Sequence, residues 1–543
     1  MANAVSDTSV LLIGFQDQDN LGLRYLSSSV RRAGFTSHIA TFTKDPAPLI
    51  SLAAQLTPRV VGLSLIFQYM AADYARVVEA LREHGVHAHI TIGGHYPSFD
   101  YGEVLTRMPG VDSIVRFDGE IALVELLEKL TAGEEWRNVR GLAYRRGSEV
   151  VANPLQPSVE DLDTLPVPDR SDIDYRGQDL AIASVLGSRG CPWNCNFCSI
   201  RPFYEAQGGT LRRLRDPQHF VDEIHALHVD KGARLFLFQD DDFLATGPRA
   251  RDWATAIADR MIGAGLAGQI AFKISCRSNE VHEATLRRLA EAGLTHVYMG
   301  VESGDEQGLR NMNKQLKPAH HLKAGEILKA LDLSFDFGFM ILEPYSTLES
   351  VRNSIEFLDA FVGDGWAIAK FWRTLPYAGT PLKRQLEAEG RLLGTAFEPD
   401  YRFLDPRLDR FHEWVNRTFD ERNFGETGLC HVLRALLLEA HMKIPGFRNY
   451  SADDRRLLHH LTAMANRTAV ETLRKAITYL GAAASADGDA PDGYLAELTV
   501  EEKEAEARII EEVSDFYWDT RDRVGGMGAA KAGDQRILVA DVR

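Results

Sequence analysis

The chain has few cysteines and no long apolar stretch. Five of its 543 residues are cysteine, and three of these stand close together. An odd, clustered set argues against a disulfide framework and favours a reducing compartment. No apolar run approaches the roughly 20 residues that span a bilayer, and residues 1–10 lack the basic stretch and apolar core of a secretory signal. We therefore expect a cytoplasmic protein that does not associate with a membrane.

Positive charge is also scarce. The chain has 61 lysines and arginines against 77 acidic residues, a formal net charge of −16. A general nucleic-acid binder needs a basic face, so this class is disfavoured. The length is sufficient for about two to four domains with substantial cores.

The three clustered cysteines lie on one short loop. An apolar, strand-like run over residues 180–186 is followed by Ser188-Arg189-Gly190-Cys191-Pro192-Trp193-Asn194-Cys195-Asn196-Phe197-Cys198-Ser199. Thiolates at C-x3-C-x2-C spacing can hold three irons of a [4Fe–4S] cluster and leave the fourth iron open. Zinc is the first alternative, but it needs a fourth ligand at paired spacing, and the other cysteines are the distant Cys276 and Cys430. Inert buried thiols are the second, although a Gly/Pro-rich loop is not typical of core packing.

This spacing, with Phe197 before the last cysteine, resembles the signature of the radical S-adenosylmethionine (SAM) enzymes. The resemblance implies that Cys191, Cys195 and Cys198 hold the cluster and that the open iron chelates SAM. An electron from the cluster then cleaves SAM to a 5′-deoxyadenosyl radical. The same resemblance places the Phe197 ring beside the cluster and its backbone near the adenine.

Before the cysteine loop, short apolar strands alternate with helices, which predicts a parallel sheet covered on both faces. Ligands of such folds bind at the carboxyl ends of the strands. Four segments with unusual residues lie there, at 17–22, 64–68, 93–98 and 118–120. No G-x-G-x-x-G follows the first strand, which argues against a dinucleotide.

Three of these segments resemble elements of B12-binding domains. Ser64-Leu65-Ile66 matches an S-x-L element and Gly93-Gly94 a GG element, while residues 17–22 align with D-x-H-x-x-G. Asp19 stands where that family has its cobalt-ligating histidine, so no imidazole ligand is expected from this position, and the lower cobalt face is open or capped by another group. The resemblance implies cobalamin contacts from Asp19, Gly22, Ser64, Gln68, Gly93 and Gly94. The alternative is a purely structural α/β module.

His95 directly follows the two glycines. It could be a cobalt ligand, but a histidine beside a glycine turn is more often a hydrogen-bonding loop residue.

Past a proline-containing linker at 161–170, six further β/α units run from Leu180 to about residue 396. This number is that of the partial barrel of radical SAM enzymes, whose site lies at the carboxyl ends of the strands. The resemblance of F-x-D-D-x-F and G-x-E-S-G motifs places SAM beside Asp240, Asp241, Glu302 and Ser303. Arg277, after the third strand, can make a two-pronged contact with the SAM carboxylate.

Each SAM candidate has a structural alternative. The acids could be an exposed loop, Arg277 could form a salt bridge to Asp240 or Glu302, and Ser303 could cap a helix. The loop at 376–381 resembles the one that closes the sixth strand.

The C-terminal part carries helical periodicity, with a small-residue linker at 482–493 and a loose tail at 524–543. In related enzymes this region caps the substrate cavity. Its histidines are assigned no role.

These features together predict an α/β fold. A Rossmann-like cobalamin-binding domain (1–145) and a linker (146–179) precede a partial (β/α)6 radical SAM barrel (180–396) and a helical C-terminal domain (397–543).

The favoured activity is that of a cobalamin-dependent radical SAM methyltransferase. It moves a methyl group from SAM, through methylcobalamin, to an unactivated carbon or a phosphinate phosphorus of a small molecule. A flavodoxin or ferredoxin is the expected electron donor. The alternatives are a cyclase or rearrangement enzyme with the same cofactors, and a cobalamin- or redox-sensing regulator. The sequence offers no helix-turn-helix or basic helix for the regulator.

Overall fold

The structure is a computed structural model that describes residues 9–16, 19–178, 180–444, 447, 450–482 and 493–524. Asp17, Gln18, most of the small-residue linker and the tail from residue 525 lie outside the described residues. The chain forms two compact units. The first contains the described residues up to Arg176, Ser184–Glu223 and Leu375–Tyr401; the second contains Gly177–Ala183, Ile224–Thr374 and the described residues from Arg402 onward.

The first unit is built on a seven-stranded sheet of order β2-β1-β3-β4-β5-β6-β7. The first five strands are parallel, and the last two add antiparallel at one edge. The strands are β1 Val10–Gly14, β2 Ser37–Thr41, β3 Val60–Ser64, β4 His89–Gly93, β5 Ser113–Val115, β6 Leu142–Arg146 and β7 Glu149–Ala152.

Helices connect the parallel strands and cover the sheet. They are α1 Leu21–Arg32, α2 Ala47–Leu56, α3 Ala71–Glu83, α4 His95–Phe99, α5 Tyr101–Arg107 and α6 Glu120–Ala132. α1 begins where it does because Asn20 caps it, its side chain accepting a hydrogen bond from Leu23 N at 3.1 Å. The polar loops that follow β1, β3, β4 and β5 therefore share one edge of the sheet.

The cysteine loop belongs to this first unit. It lies between β9 Ser188–Arg189, which pairs with β10 Arg213–Leu214, and the short helix α7 Ile200–Ala206. The segment Leu375–Tyr401 adds α14 Pro381–Ala388, β16 Leu392–Gly394 and β17 Pro399–Tyr401.

The second sheet has six strands in the sequential order β8, β11, β12, β13, β14 and β15. They span Ile182–Val185, Leu235–Phe238, Ala271–Arg277, Leu294–Glu302, Ser334–Leu342 and Trp372–Arg373. All nine residues of β14 are buried, as expected of a strand covered on both faces.

The intervening helices are α8 Pro217–Lys231, α9 Pro248–Gly263, α10 Glu283–Ala292, α11 Glu306–Asn311, α12 Pro318–Ala330 and α13 Leu348–Val362. The helices α15 Pro406–Phe424, α16 Leu429–His441, α17 Ala452–Ala482 and α18 Gly493–Val524 follow the last strand. Among the described residues, none of the helices is long and apolar enough to cross a membrane. The predicted fold class, with its Rossmann-like domain, six-stranded barrel sheet and helical C-terminal part, is confirmed.

Candidate active site

The cysteine loop is held by its own backbone. Cys195 is a buried thiol, and Cys191 and Cys198 are half-buried thiols. Gly190 precedes them with φ +93°, where a Cβ would lie 1.9 Å from the Leu211 carbonyl oxygen, so this position requires glycine. Further on, Cys198 N donates to Cys195 O at 3.3 Å. The loop can therefore present its three thiols in a fixed arrangement.

Two more hydrogen bonds hold the outside of the loop. Arg201 Nη1 donates to the Pro192 carbonyl at 2.7 Å, and Leu382 N donates to the Asn196 carbonyl at 2.9 Å. The second bond links the loop to the start of α14, within the same unit.

A buried ion network joins β9 to the carboxyl edge of the first sheet. Arg189, two residues before the first cysteine, donates to Glu120 at 2.7 Å and to Asp118 at 3.3 Å. Arg213 binds the other oxygen of Asp118 at 3.1 Å, and the Arg189 guanidinium also lies 4.8 Å from the centroid of the Tyr25 ring. Sequence reasoning singled out the acids at 118–120 as edge residues, but their partners lie about 70 or more residues away and gave no local signal.

Asp19 is engaged with protein groups. Its Oδ2 accepts hydrogen bonds from the Tyr175 hydroxyl at 2.6 Å and from Ser184 N at 3.2 Å, and Arg24 lies 3.6 Å from its Oδ1. Burial and the adjacent carboxylate raise the pKa of Tyr175 well above its usual 10, so the phenol remains a donor. Any contact of Asp19 with cobalamin stays a prediction.

Gln68 and the other predicted cobalamin residues also have structural roles. The Gln68 amide donates to Ala396 O at 2.7 Å and accepts from Ala378 N at 2.8 Å, so it anchors the predicted loop at 376–381. Gly94 has φ +109°, and a Cβ there would lie 2.4 Å from Leu65 O.

Ser64 ends β3 half-buried, and Gly93 ends the neighbouring β4 opposite it. Gly22 lies in the first turn of α1. Their cobalamin contacts likewise stay predictions.

Exposed aromatic rings lie beside these loops and were missed by sequence reasoning. Phe67 is 41% exposed and Tyr69 is 60% exposed. Their ring centroids are 5.6 Å apart, and Phe15, after β1, meets Phe67 edge-to-face at 6.1 Å. An apolar patch at the carboxyl edge of a parallel sheet fits a large flat ligand such as a corrin. The signal available in the sequence was the pair of aromatics directly after the S-x-L element.

His95 packs against α7. Its ring stacks on Phe203 with centroids 4.2 Å apart, and burial lowers its pKa to about 4, so it is neutral at pH 7. Its Nε2 has no hydrogen-bond partner within the described part of the chain. Stacking is thus the role that the structure gives this residue.

The candidate SAM residues lie in the second unit at the carboxyl ends of three neighbouring strands. Asp240 and Asp241 follow β11, Arg277 ends β12 and Glu302 ends β13. Asp240 is 3% exposed, which argues against a solvated acidic loop. A cationic group is the natural partner for buried acids, and the amino group of SAM is one.

Glu302 is held by a lysine that the sequence analysis did not identify. Lys314 Nζ lies 3.0 Å from Glu302 Oε1; the lysine side chain is buried, and that of Glu302 is 12% exposed. Glu302 has φ +71°, an uncommon backbone conformation for a residue other than glycine, of the kind found at functional sites. Arg277 Nη2 donates to the Lys314 carbonyl, and Arg277 N donates to Glu280 at 3.0 Å.

Ser303 does not cap a helix. Its hydroxyl accepts from Asp305 N at 3.1 Å, and Asp305 caps α11 by accepting from Gly308 N at 2.8 Å. The helix begins two residues later than the capping interpretation of Ser303 requires, because an Asp is available there.

The donor sets fit the cluster and SAM. Three thiols on one loop match a [4Fe–4S] cluster with an open iron, and the carboxylates and guanidinium at the strand ends match the charged groups of SAM. Among the described residues, no three His, Cys, Asp or Glu side chains are grouped tightly enough for a single metal ion. A cluster makes a different demand, since each cysteine binds its own iron.

Comparisons with known proteins match both parts of the chain that contain the candidate residues. The model of the Radical SAM superfamily matches residues 185–358, and that of the B12 binding domain matches residues 14–127. An uncharacterised methyltransferase of Pyrococcus horikoshii is 28% identical over 399 residues, which cover 72% of this chain and 83% of that protein. The anaerobic magnesium-protoporphyrin IX monomethyl ester cyclase of Cereibacter sphaeroides is 26% identical over 400 residues, or 70% of this chain and 62% of the cyclase.

The fold also matches a solved structure. The cobalamin-dependent S-adenosylmethionine radical enzyme OxsB with aqua-cobalamin bound superposes with a TM-score of 0.71 at 15% identity, over 96% of this chain and 84% of that one. The cysteine loop falls inside the first family match and the polar sheet edge inside the second. The chain is therefore a radical SAM enzyme with a B12-binding domain, and its cofactors are a [4Fe–4S] cluster, SAM and cobalamin.

Proposed function

We propose that the protein is a cobalamin-dependent methyltransferase that methylates an unactivated carbon, or a phosphinate phosphorus, of a small molecule. The observation that carries the proposal is the composition of the first unit. The three thiols and the B12-binding sheet edge belong to one compact body, tied by the Arg189 ion network. A chain that holds both cofactor sites in one body is suited to methyl transfer from SAM through cobalamin.

When bound, the cluster supplies the electron that cleaves SAM, and cobalamin carries the methyl group. The chain's own residues bind and orient these groups. Cys191, Cys195 and Cys198 hold the cluster. Buried Asp240 attracts the SAM amino group, and Arg277 its carboxylate. The Glu302 carboxylate, fixed by Lys314, is an acceptor for the ribose hydroxyls.

The second candidate is a cyclase or rearrangement enzyme. It is favoured by the similarity to a cyclase over 70% of this chain. The two activities differ in product mass, because methyl transfer adds a methylene unit to the substrate and rearrangement does not.

The decisive experiment is anaerobic reconstitution with iron, sulfide and cobalamin, followed by incubation with reductant and SAM carrying a deuterated methyl group. Mass spectrometry of candidate small molecules should show a product heavier by the labelled methyl. A product that carries no label would favour the second candidate.

Cys195→Ala should lose the iron–sulfur absorbance and 5′-deoxyadenosine formation together. Cys430→Ser, a change outside the loop, serves as the matched control and should keep both. Undiminished deoxyadenosine formation by Cys195→Ala would refute the assignment of the loop.

A further inference from the structure

Alternate side chains of β12 and β13 lie on one face of the second sheet. Lys273 and Ser275 on β12, and Tyr298 and Glu302 on β13, are half-buried, as is Gly300 between the last two, whereas Ile274, Met299 and Val301 are buried. The register pairs Lys273 with His296 and Ser275 with Tyr298. Alternation along each strand and this register place the four accessible residues on one face of the sheet.

One carboxylate on that face forms ion pairs with other side chains. Asp336 of β14 pairs with Arg434 of α16, and His296 Nε2 lies 3.1 Å from its Oδ1. The other ring nitrogen of His296 bonds Ser334 Oγ at 2.7 Å. Burial alone would raise the pKa of Asp336, but Arg434, His296 and Lys273 together hold it well below its usual value.

Lys273 has no such partner. Within the described residues it forms no hydrogen bond and no ion pair, and its Nζ lies 5.7 Å from the centroid of the Tyr298 ring. Burial lowers the pKa of Lys273 and the pKa of His296. The group formed by Lys273, His296, Asp336 and Arg434 contains one carboxylate and the two basic side chains Lys273 and Arg434.

A half-buried amine that forms no ion pair has lost part of its hydration, and an anion that binds beside it would offset the cost of keeping it protonated. Lys273 precedes Arg277 by four residues on the same strand, a distance of about 13 Å. Lys273 therefore lies on the inner face of the barrel sheet. Its distance from the strand ends, where SAM is proposed to bind, is comparable to the length of a small molecule.

We propose that Lys273 binds an anionic group, a phosphate or a carboxylate, of the small-molecule substrate. This inference rests on the proposed function, because it takes the barrel interior as the place where a substrate enters. It narrows the substrate to an elongated anion whose charged end lies deep in the barrel and whose reacting atom lies toward the strand ends.

The test uses protein loaded with the cluster, cobalamin and SAM, without reductant. Equilibrium dialysis with labelled inorganic phosphate and with labelled succinate distinguishes the two kinds of anion. The wild type should bind at least one of them, Lys273→Gln should bind it at least tenfold more weakly, and Lys273→Arg should retain most of the affinity. Lys475→Gln, at an exposed pair with Glu501, is the matched control and should bind like the wild type.

A second measurement needs no variant. Pyridoxal 5′-phosphate condenses with a lysine amine, and borohydride fixes the adduct for peptide mapping. Lys273 should be labelled, and the anion that dialysis identifies should protect it.

If neither anion bound to the wild type, or if Lys273→Gln bound as well as the wild type, the inference would be overturned. Failure of the proposed function would look different. Reduced wild-type enzyme would then form no deoxyadenosine, while anion binding at Lys273 remained measurable.

Discussion

At the scale of single residues, the Glu302–Lys314 pair is the sharpest target. Lys314→Met removes the cation 3.0 Å from a largely buried carboxylate. An uncompensated buried charge costs about 3–5 kcal/mol, so the unfolding midpoint in urea should fall clearly. The double variant Glu302→Gln/Lys314→Met removes both charges and should recover most of that stability.

The same variants separate stability from SAM binding. If Glu302 contacts SAM, the double variant should remain folded yet bind SAM at least tenfold more weakly by equilibrium dialysis. A double variant that binds SAM like the wild type would assign the pair a structural role alone.

The residue scale also shows what sequence motifs can and cannot predict. Glu302 and Ser303 were predicted as a site because they form one contiguous motif. Lys314 was not, because it comes 12 residues later, in a turn where Asn313 and Gln315 have positive φ. Asp19 was recognised as a departure from a family pattern, but its bond to Tyr175, 156 residues away, has no local signal.

At the scale of elements, the Arg189 network positions the cysteine loop. Arg189→Met leaves Glu120 buried without its cation, at a cost of about 3–5 kcal/mol. We expect less iron per chain after reconstitution and a lower unfolding midpoint. Arg176→Met, at an exposed pair with Asp174, should change neither property. Full iron loading in Arg189→Met would show that β9 does not need this network.

The sixth barrel strand shows why element boundaries are hard to predict. The apolar run 367–374 predicts a strand of eight residues, but β15 comprises Trp372–Arg373 alone. A side chain of the C-terminal helices forms hydrogen bonds with backbone groups of this region that are not paired in the sheet. Asn466 accepts from Ala369 N at 2.7 Å and donates to Ala367 O at 2.8 Å and to Val362 O at 2.7 Å.

Asn466→Ala should therefore destabilise the second unit. Each buried backbone group left unsatisfied costs about 1–3 kcal/mol, and three are affected. Thermal unfolding should begin at a lower temperature, whereas the neighbouring exposed change Arg467→Ala should have little effect. A wild-type unfolding temperature for Asn466→Ala would mean that water replaces the amide.

At the scale of the whole molecule, periodicity predicted the order of the α/β and helical parts because apolar alternation is a local property. The strands β2, β6 and β7, at the two sides of the first sheet, were not predicted, since each has exposed residues and its apolar pattern is weak. The cysteine loop belongs to the same unit as the first sheet because residues far apart in the sequence are in contact, such as Arg189 and Asp118. A local sequence pattern cannot predict such contacts.

The two units share a sensitivity to acid. Burial lowers the pKa of His89, His95 and His441 to about 4, and that of His321 to about 3. A histidine in the unfolded chain has a pKa of about 6.5, so the unfolded state takes up protons first as the pH falls. Their contribution to stability is complete above pH 6.5 and is lost as the pH falls toward 4.

As the pH falls from 7.5 to 5.5, protonation of each of these histidines in the unfolded state should lower the free energy of unfolding by about 1 kcal/mol. His321 is fully buried and bonds Ser278 Oγ at 2.6 Å, which a glutamine amide can also do. Urea unfolding followed by circular dichroism should show a smaller acid-induced loss in His321→Gln than in the wild type. His38→Gln, at an exposed position, should leave the loss unchanged. Equal losses in His321→Gln and the wild type would mean that the pKa of His321 is not lowered in the folded protein, because removal of a group with a lowered pKa must remove its share of the pH dependence.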